Sequence, residues 1–456
     1  MTSERSNQAE ATWMDDYRVL RYTSLHIQGY RAVFGYELAG ADKKLSFTEI
    51  VEFPPPPSVP SQETIEAFER VVELLYLVAG ISYYKVAAPE RIEVLAVALP
   101  PRVEEYLRNL YAHGLGEFAF KNHLPRALRP DFVPLRADTR PALQLPTAPG
   151  PPLVTIGGGK DSVVSVELLR KAGMQPTLFA VKPNDVMRNV IDASELPWLA
   201  ARRYIDKQLF GLNERGAYNG HIPVTAINSL IAVATSVLHG LGPVVMSNER
   251  SASSPNLSWN GKEINHQWSK SLVAERELAD VLVAQLGPGT RYFSLLRPFS
   301  ELHIARMFSE TTTYDAVFTS CNRVFKLENP AAAWCGDCPK CRFVFLALAP
   351  FMAKARLTGI FGKDMLGDEL QLPGYRELTG LAGQKPFECV GETCESLVAL
   401  QLAANSVDWR SEPVVKQLIA EIPSEQLPSP KLHTEIFTPS TAHLIPTQYA
   451  KALACV

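Results

Sequence analysis

The sequence lacks a hydrophobic run that could cross a membrane, and it carries no excess of basic charge. The closest candidate, Val224 to Leu238, is interrupted by five hydroxyl or amide side chains, whereas a membrane-spanning helix needs about 20 apolar residues. Lys and Arg number 45 against 48 Asp and Glu, which gives a formal net charge of −3 and argues against nucleic acid as a partner. Residues 1–16 are polar, so no signal peptide is predicted. We therefore expect a cytoplasmic protein without a membrane span.

Cysteine is also sparse, with seven in 456 residues, yet Cys335, Cys338 and Cys341 form a C-x2-C-x2-C run. In a chain without a secretion signal, such clustering favours a metal over disulfides. Zinc takes four tetrahedral ligands, and Cys321 is the natural fourth. The alternatives are thiols without metal, an iron–sulfur cluster and a zinc-bearing RNA-binding module. Without zinc, Cys321 is a candidate thiol base.

Composition and patterning divide the chain into three predicted parts. Residues 1–145 are expected to form an α+β domain, with an alternating strand that ends at Phe53 and a helix that runs from Ser61 to Gly80. Residues 150–350 alternate between apolar strands and helices, which predicts an α/β core with a parallel sheet. Residues 351–456 are expected to be a helical region with a surface tail.

Each of four predicted strands in the second part is followed by a polar cluster. These strands are residues 153–156, 177–181, 244–246 and 316–319. Ligands bind at the carboxyl ends of strands in open α/β sheets. We therefore expect the four polar clusters to converge on one cleft.

The strongest signal is a loop between the first of these strands and a helix. It consists of Gly157, Gly158, Gly159, Lys160, Asp161 and Ser162. Consecutive glycines let the backbone approach an anion, and the start of a helix adds a positive dipole end. The expected anion is pyrophosphate, with Lys160 adding charge, Ser162 donating a hydrogen bond and Asp161 holding Mg²⁺. The loop fits neither the Walker A pattern nor G-x-G-x-x-G.

A second polar segment follows the strand at 244–246. Its first part is predicted to bind substrate and comprises Ser247, Asn248, Glu249, Arg250 and Ser251. Its second part supplies the candidate catalytic residues Glu263, His266 and Lys270, which join Asp161. Arginine and lysine suit carboxylates or phosphates, whereas Glu263 and His266 suit proton transfer.

The glycine loop resembles the S-G-G-x-D-S loop of the N-type ATP pyrophosphatases, although Gly157 stands at the position of the family's first serine. Together with the cysteine run, residues 153–345 resemble 7-cyano-7-deazaguanine synthase. That resemblance implies an adenine nucleotide alpha-hydrolase-like core with a structural zinc. With the segment 220–225 and the proline-rich N-terminal part, nearly the whole chain resembles the UDP-N-acetylmuramoyl-L-alanyl-L-glutamate epimerases.

The last resemblance implies an isomerase of peptidoglycan precursor synthesis, and hence a role in cell shape and division. It implies that ATP and Mg²⁺ activate the terminal L-Glu of a nucleotide–peptide substrate as an acyl-adenylate. Inversion to D-Glu would then be accompanied by release of AMP and diphosphate. The glycine loop leaves two alternatives open: an ATP-dependent amide- or nitrile-forming enzyme, and a tRNA-thiolating enzyme. The sequence predicts no oligomeric state.

Overall fold

The structure is a computed structural model that describes residues 13–136, 138, 140–146, 149–324, 334–383 and 385–455. The chain divides into two compact units. The first comprises the chain up to Glu52, Glu73–Pro141 and Arg203–Ile222, and the second comprises Phe53–Val72, Ala142–Arg202 and the chain from Pro223 onward. The three-part division expected from the sequence remains a prediction.

The described residues form short strands and many helices. The strands are β1 Tyr17–Gln28, β2 Arg31–Gly40, β3 Lys44–Glu52, β4 Arg91–Val94, β5 Asp131–Pro134, β6 Leu153–Thr155, β7 Thr177–Val181, β8 Trp198–Tyr204, β9 Val244–Met246, β10 Leu257–Trp259, β11 Lys262–Ile264 and β12 Tyr292–Ser294. The helices are α1 Gln62–Ala79, α2 Ile81–Tyr84, α3 Pro101–Gly114, α4 Gly116–Lys121, α5 Lys160–Lys171, α6 Asp185–Ser194, α7 Gln208–Glu214, α8 Val224–Leu238, α9 Leu272–Leu286, α10 Glu301–Ser309, α11 Pro339–Leu348, α12 Lys354–Phe361, α13 Leu372–Thr379, α14 Thr393–Asn405, α15 Pro413–Glu421, α16 Pro430–Phe437 and α17 Ala450–Leu453. Among the described residues, no helix combines the length and the apolar character that a bilayer crossing requires.

The first unit is built on strands in the order β3-β2-β1-β4-β5. β1, β2 and β3 form an antiparallel meander, whereas β4 and β5 run parallel to β1. Tyrosines fill the core, and each buried hydroxyl needs a partner. Tyr22 Oη donates to the Leu77 carbonyl at 2.9 Å, and Tyr83 Oη donates to Glu49 Oε2 at 2.9 Å. The predicted strand ending near Phe53 and the helix after Ser61 are confirmed as β3 and α1.

The second unit contains a parallel sheet in the order β12-β9-β6-β7-β8. Helix α5 connects β6 to β7, and α6 connects β7 to β8, so these crossovers lie between neighbouring parallel strands. Helices α8 and α9 precede β9 and β12, which extend the sheet on the other side of β6. The predicted α/β class with a parallel sheet is therefore confirmed.

Burial of apolar side chains explains why α5 forms against this sheet. Val163, Val164 and Leu168 are buried with Val154 of β6 in one core, which follows the spacing of an amphipathic helix. The core continues into α11 and α14, where Phe345 and Val398 are fully buried. The predicted helical C-terminal region is therefore confirmed.

The predicted strand at residues 316–319 is wrong. Val317 and Phe318 both donate their backbone N–H groups to the Tyr314 carbonyl at 3.0 Å, so the segment is a turn. Phe318 is apolar because it packs on Phe308, with ring centroids 4.4 Å apart, and not because it belongs to a sheet. A short apolar run does not distinguish these two forms of burial.

Candidate active site

The candidate site lies where β6 and β9 are neighbours in the second unit. The chain leaves β6 towards β7 on one side of this point, whereas β9 and β12 lie on the other. Such a switch point opens a crevice at the carboxyl ends of the strands. A cavity of about 260 Å³ occupies the crevice and is lined by Thr155, Gly157, Gly159, Asp161, Ser162, Met246, Ser247, Asn248, Lys270, Thr319, Ser320, Asn322, Lys340 and Cys389.

The glycine loop forms one wall of this cavity with very little room for side chains. Gly158 has φ +84°, and a Cβ there would lie 2.8 Å from Val186 Cγ1. A Cβ on Gly159 would lie 2.5 Å from Ser320 Oγ. Thr319 donates its backbone N–H to the Gly158 carbonyl at 3.0 Å, which holds the turn at 314–319 against the loop. Three of the four predicted polar clusters, those after β6, after β9 and after residue 319, thus meet at the cavity.

Helix α5 begins at this wall, with Gly159 as its N-cap residue. Within the described residues no side chain caps it, so the first N–H groups of the helix are available to an anion. Ser162 lines the cavity, and its Oγ donates to the Gly159 carbonyl at 3.0 Å. An uncapped helix N-terminus of this kind suits an anion.

Lys160 lies away from the cavity, contrary to what the loop sequence suggests. Its side chain is fully buried and forms ion pairs with Asp161 and Glu301. Burial acts to lower the pKa of Lys160, but the two carboxylates outweigh it and raise the pKa above its usual value. Lys160 therefore reaches the site only through Asp161.

Asp161 is the carboxylate that lines the cavity. Burial acts to raise its pKa, but the positive charges of Lys160, Lys340 and Lys270 outweigh burial and lower it. The side chain is therefore an anion at neutral pH and a weak base. An ionised carboxylate beside an anion site suits a divalent cation such as Mg²⁺.

The predicted substrate-binding segment after β9 divides into two groups. Ser247 and Asn248 line the cavity, where Ser247 Oγ lies 2.7 Å from Ser165 Oγ and Asn248 Nδ2 donates to Ser294 Oγ at 3.0 Å. Glu249 is buried, and burial raises its pKa against the opposing effect of Lys270.

Arg250 and Ser251, in contrast, have structural partners. The Arg250 guanidinium donates to the carbonyl oxygens of Glu435, Ile436 and Thr438, at the end of α16. Ser251 Oγ donates to Glu395 Oε2 at 2.8 Å. Neither residue is part of the cavity wall described above.

The predicted catalytic residues are also placed differently from one another. Lys270 lines the cavity, and burial acts to lower its pKa, but Cys389 and Glu249 outweigh it and raise the pKa. His266 is not among the lining residues, but its side chain hydrogen-bonds Cys389, which lines the cavity. Glu263 is exposed on β11 and forms part of the β10–β11 hairpin.

Cys389 is the residue that sequence reasoning missed. Its Sγ accepts a hydrogen bond from Lys270 Nζ at 3.2 Å, and its carbonyl accepts one from Lys340 Nζ. The sequence signal is weak: a single cysteine between Pro386 and Gly391. Lys340 lies inside the cysteine run, between two of the candidate metal ligands, and nothing in the sequence alone marks it as a residue of the cavity wall.

A second cavity of about 170 Å³ shares Thr155, Gly157 and Met246 with the first. Its other walls are largely apolar and comprise Ile156, Phe179, Ala180, Val181, Met187, Thr225 and Asn228. The polar cluster predicted after β7 contributes here indirectly, because Asn184 caps α6 by accepting from Met187 N at 3.0 Å. An apolar recess next to an anion site suits an aromatic base attached to phosphates.

The four predicted metal ligands lie together. The Sγ atoms of Cys321, Cys335, Cys338 and Cys341 are all within 4.8 Å of one another. Cys341 Sγ lies 3.7 Å from Cys335 Sγ and 3.5 Å from Cys338 Sγ. Tetrahedral zinc with Zn–S bonds of about 2.3 Å requires sulfur atoms roughly 3.8 Å apart, so the donor set fits zinc.

Two family models match this chain. The MurL N-terminal domain matches residues 11–295, and the MurL C-terminal domain matches residues 317–432.

Three curated relatives carry the same name, UDP-N-acetyl-alpha-D-muramoyl-L-alanyl-L-glutamate epimerase. The protein of a Micromonospora species is 52% identical over 441 residues, which cover 97% of this chain and 98% of the relative. That of Salinispora tropica is 52% identical over 440 residues, or 96% of each chain. That of Xanthomonas oryzae pv. oryzae is 43% identical over 385 residues, with 84% and 85% coverage. No solved structure matches the chain.

Proposed function

This chain belongs to the MurL family, and from that premise we propose that it is an ATP-dependent epimerase of UDP-N-acetyl-alpha-D-muramoyl-L-alanyl-L-glutamate. It inverts the terminal L-glutamate to D-glutamate for peptidoglycan precursor synthesis. The observation that carries the proposal is 52% identity with a protein of that name over 97% of the chain. The ATP requirement is supported separately, by the anion site at the switch point.

ATP is proposed to bind across the two cavities that share Thr155, Gly157 and Met246. Its β- and γ-phosphates lie on the glycine loop and on the free N–H groups at the start of α5. The adenine lies in the apolar recess formed in part by Phe179, Val181 and Met187. This arrangement brings the α-phosphorus into the crevice, where the substrate carboxylate attacks it.

The α-carboxylate of the terminal glutamate is proposed to lie near Lys270 and Lys340, which are the ammonium groups of the cavity wall. Two positive charges offset the repulsion between this carboxylate and the phosphates. Attack on the α-phosphorus forms the acyl-adenylate and releases diphosphate. Asp161 would hold Mg²⁺, which supplies charge neutralisation for the phosphates when it is bound.

Adenylation solves a specific problem of this epimerisation. Removing the Cα proton beside a free carboxylate would place a second negative charge on the same group. Pyridoxal phosphate offers no route, because the glutamate nitrogen is an amide and forms no Schiff base. The acyl-adenylate has lost the carboxylate charge, so its carbonyl accepts the electron pair released at Cα. Water then liberates AMP.

The cysteine cluster is proposed to hold a structural zinc ion through Cys321, Cys335, Cys338 and Cys341. Cys338 is also the N-cap of α11, since its Sγ accepts from Cys341 N at 3.4 Å. A closed set of four thiolates leaves no position for substrate. The ion would therefore stabilise the fold of this segment.

The decisive experiment incubates the protein with ATP, Mg²⁺ and the L-Glu nucleotide dipeptide in deuterated water. Chiral analysis of the glutamate, its mass and the nucleotide products are measured together. We expect D-glutamate carrying one deuterium at Cα, with AMP and diphosphate as products. Formation of ADP, or of an amide product that requires ammonia with no change of stereochemistry, would refute the proposal.

A further inference from the structure

The cavity wall contains Cys389, which takes no part in the proposed adenylation. Cys389 is half-buried and lines the same cavity as Asp161 and Gly159. Lys270 Nζ donates to its Sγ at 3.2 Å, and the His266 side chain adds a second hydrogen bond. The thiol thus faces the crevice while two hydrogen-bond donors contact the sulfur.

The segment that carries Cys389 has a defined backbone conformation. Val390 N donates to the Glu388 carbonyl at 2.8 Å, so Cys389 is the central residue of a γ-turn. Lys340 Nζ donates to the carbonyl of Cys389 itself. The Cys389 side chain therefore projects from the central residue of a three-residue turn, and the hydrogen bond from Lys340 fixes the backbone of that turn.

Both ends of this segment are tied to the chain that follows β9. Asn256 Nδ2 donates to the Pro386 carbonyl at 3.1 Å, and Asn256 Oδ1 accepts from His266 N at 2.9 Å. At the other end, Ser254 Oγ donates to Glu392. Asn256 therefore holds the cysteine segment and His266 in one arrangement, which is the preorganisation that a proton-transfer group requires.

The electrostatic surroundings favour the thiolate. Burial acts to raise the pKa of Cys389, but the charge of Lys270, the hydrogen bond from His266 and the charge of Lys340 lower it to about 6. Asp161 and Glu249 are the acidic groups that interact with Lys270. At neutral pH the sulfur is largely ionised, whereas Lys270 keeps its proton because its pKa is raised. Cys389 is thus the stronger candidate base of the two.

We propose that Cys389 is the catalytic base that removes the Cα proton from the activated terminal glutamate. The step rests on the proposed function, because only an activated carbonyl makes this proton acidic enough. The Cα–H bond breaks, an S–H bond forms, and the electron pair moves onto the carbonyl oxygen to give an enolate. A water molecule on the opposite face gives a proton to Cα of the enolate, which inverts the centre, and the hydroxide that remains is neutralised by the proton that the Cys389 thiol releases to solvent, which restores the thiolate. Lys270 and His266 are positioning residues that hold the thiolate.

The first test compares Cys389→Ser and Cys389→Ala with the parent for exchange of the Cα proton in deuterated water. We expect both variants to lose exchange and inversion by at least about 100-fold, the scale of general-base catalysis. Substrate-dependent exchange of labelled diphosphate into ATP is expected to persist, because adenylation precedes proton removal. Cys455→Ser is the matched control, since that sulfur is near the end of the chain and donates to the Lys451 carbonyl. Exchange within threefold of the parent in Cys389→Ala would overturn the assignment.

The second test needs no variant of Cys389 and no turnover. Alkylation of the parent by iodoacetamide, followed by mass spectrometry of the Cys389 peptide across pH, is expected to give a midpoint near 6. Lys270→Met is expected to move the midpoint upward, and ATP with substrate is expected to protect the thiol. A midpoint at the ordinary cysteine value of about 8.5 would overturn the proposal.

The two hypotheses fail in different ways. Inversion by the parent without ATP consumption would refute adenylation, yet loss of Cα exchange in Cys389→Ala would still identify the base. Normal ATP consumption and normal exchange in Cys389→Ala would refute the base while leaving the proposed function intact.

Discussion

Lys160 and Glu301 form a buried ion pair between residues that are 141 positions apart in the sequence. Lys160 begins α5 and Glu301 begins α10, so the pair joins the starts of two helices behind the glycine loop. Lys340 Nζ lies 3.9 Å from the same carboxylate. The loop lysine is thus paired with two carboxylates and is not among the residues that line the cavity.

Removing one partner of this pair is expected to lower stability more than nucleotide affinity. Lys160→Met leaves Glu301 buried without its closest cation, which costs about 3–5 kcal/mol for a buried pair. Thermal unfolding of Lys160→Met, Glu301→Gln and the double variant measures the effect. The double variant is expected to lose less than the sum of the single losses. Unchanged unfolding of Lys160→Met together with a raised KM for ATP would show that Lys160 contacts the phosphates.

Gly159 is expected to tolerate a side chain only when Ser320 is shortened. The Cβ of Gly159→Ala would lie 2.5 Å from Ser320 Oγ, whereas the next atoms are 3.7 Å away. Gly159→Ala is therefore expected to lower AMP formation at least tenfold, and Ser320→Gly in the same chain to restore part of it. Gly359→Ala is the control, because no atom outside its chain neighbours and the backbone of its own helix lies within 4 Å of that Cβ. Equal activity of Gly159→Ala and the parent would contradict the close approach.

The cysteine cluster is expected to yield about one zinc ion per chain. Elemental analysis of the purified protein measures the metal, and a thiol-reactive mercurial with a zinc indicator measures its release. Cys341→Ser is expected to lose the ion and to unfold at a lower temperature, whereas Cys394→Ser, outside the cluster, is expected to retain it. Bound iron together with visible absorption would identify an iron–sulfur cluster and would contradict the assignment of zinc.

The loss of folding stability at acid pH is expected to depend on His303. Arg306 donates to His303 Nε2 at 2.9 Å, so the ring is neutral, and burial followed by the charges of Arg306 and Arg250 lowers its pKa to about 4. The pKa of a histidine in the unfolded chain is about 6.5. The unfolded chain therefore binds the proton more readily than the folded chain. The contribution of neutral His303 to the free energy of unfolding is complete above pH 6.5 and is lost as the pH falls towards 4.

Thermal unfolding of the parent and of His303→Leu between pH 7.5 and 4.5 checks this expectation. The variant is expected to be less stable at pH 7.5 but to lose less stability on acidification. Parallel curves would assign the acid sensitivity to other groups.

Local patterns predicted the parts of the site that are contiguous in sequence. The run from Leu153 to Lys171 combines strand, glycine turn and amphipathic helix, and each signal depends on neighbouring residues only. Even there, the ion pair between Lys160 and Glu301 was not predicted, because it follows from the packing of α5 on α10 and not from the spacing of charges. Similarly, Val317 and Phe318 were predicted to lie in a strand. They belong to a turn, and the packing of Phe318 on Phe308 is visible only in the structure.

Cys389 was beyond sequence reasoning for the same reason. It lies in an irregular segment before α14, where no periodicity marks a face. Its character depends on Lys270, His266 and Lys340, which come from two distant stretches of the chain. A pKa shift depends on the residues that the fold brings together. A single sequence does not show which residues those are.

Lys340 connects two parts of the protein that have different chemical tasks. It stands between Cys338 and Cys341, yet its ammonium group belongs to the wall of the crevice and contacts the backbone of Cys389. The conformation of the cysteine run therefore affects the position of one of the two ammonium groups in the cavity wall. If the cluster holds the proposed zinc ion, its removal is expected to displace the Lys340 ammonium group from the cavity wall, so that metal content and activity fall together.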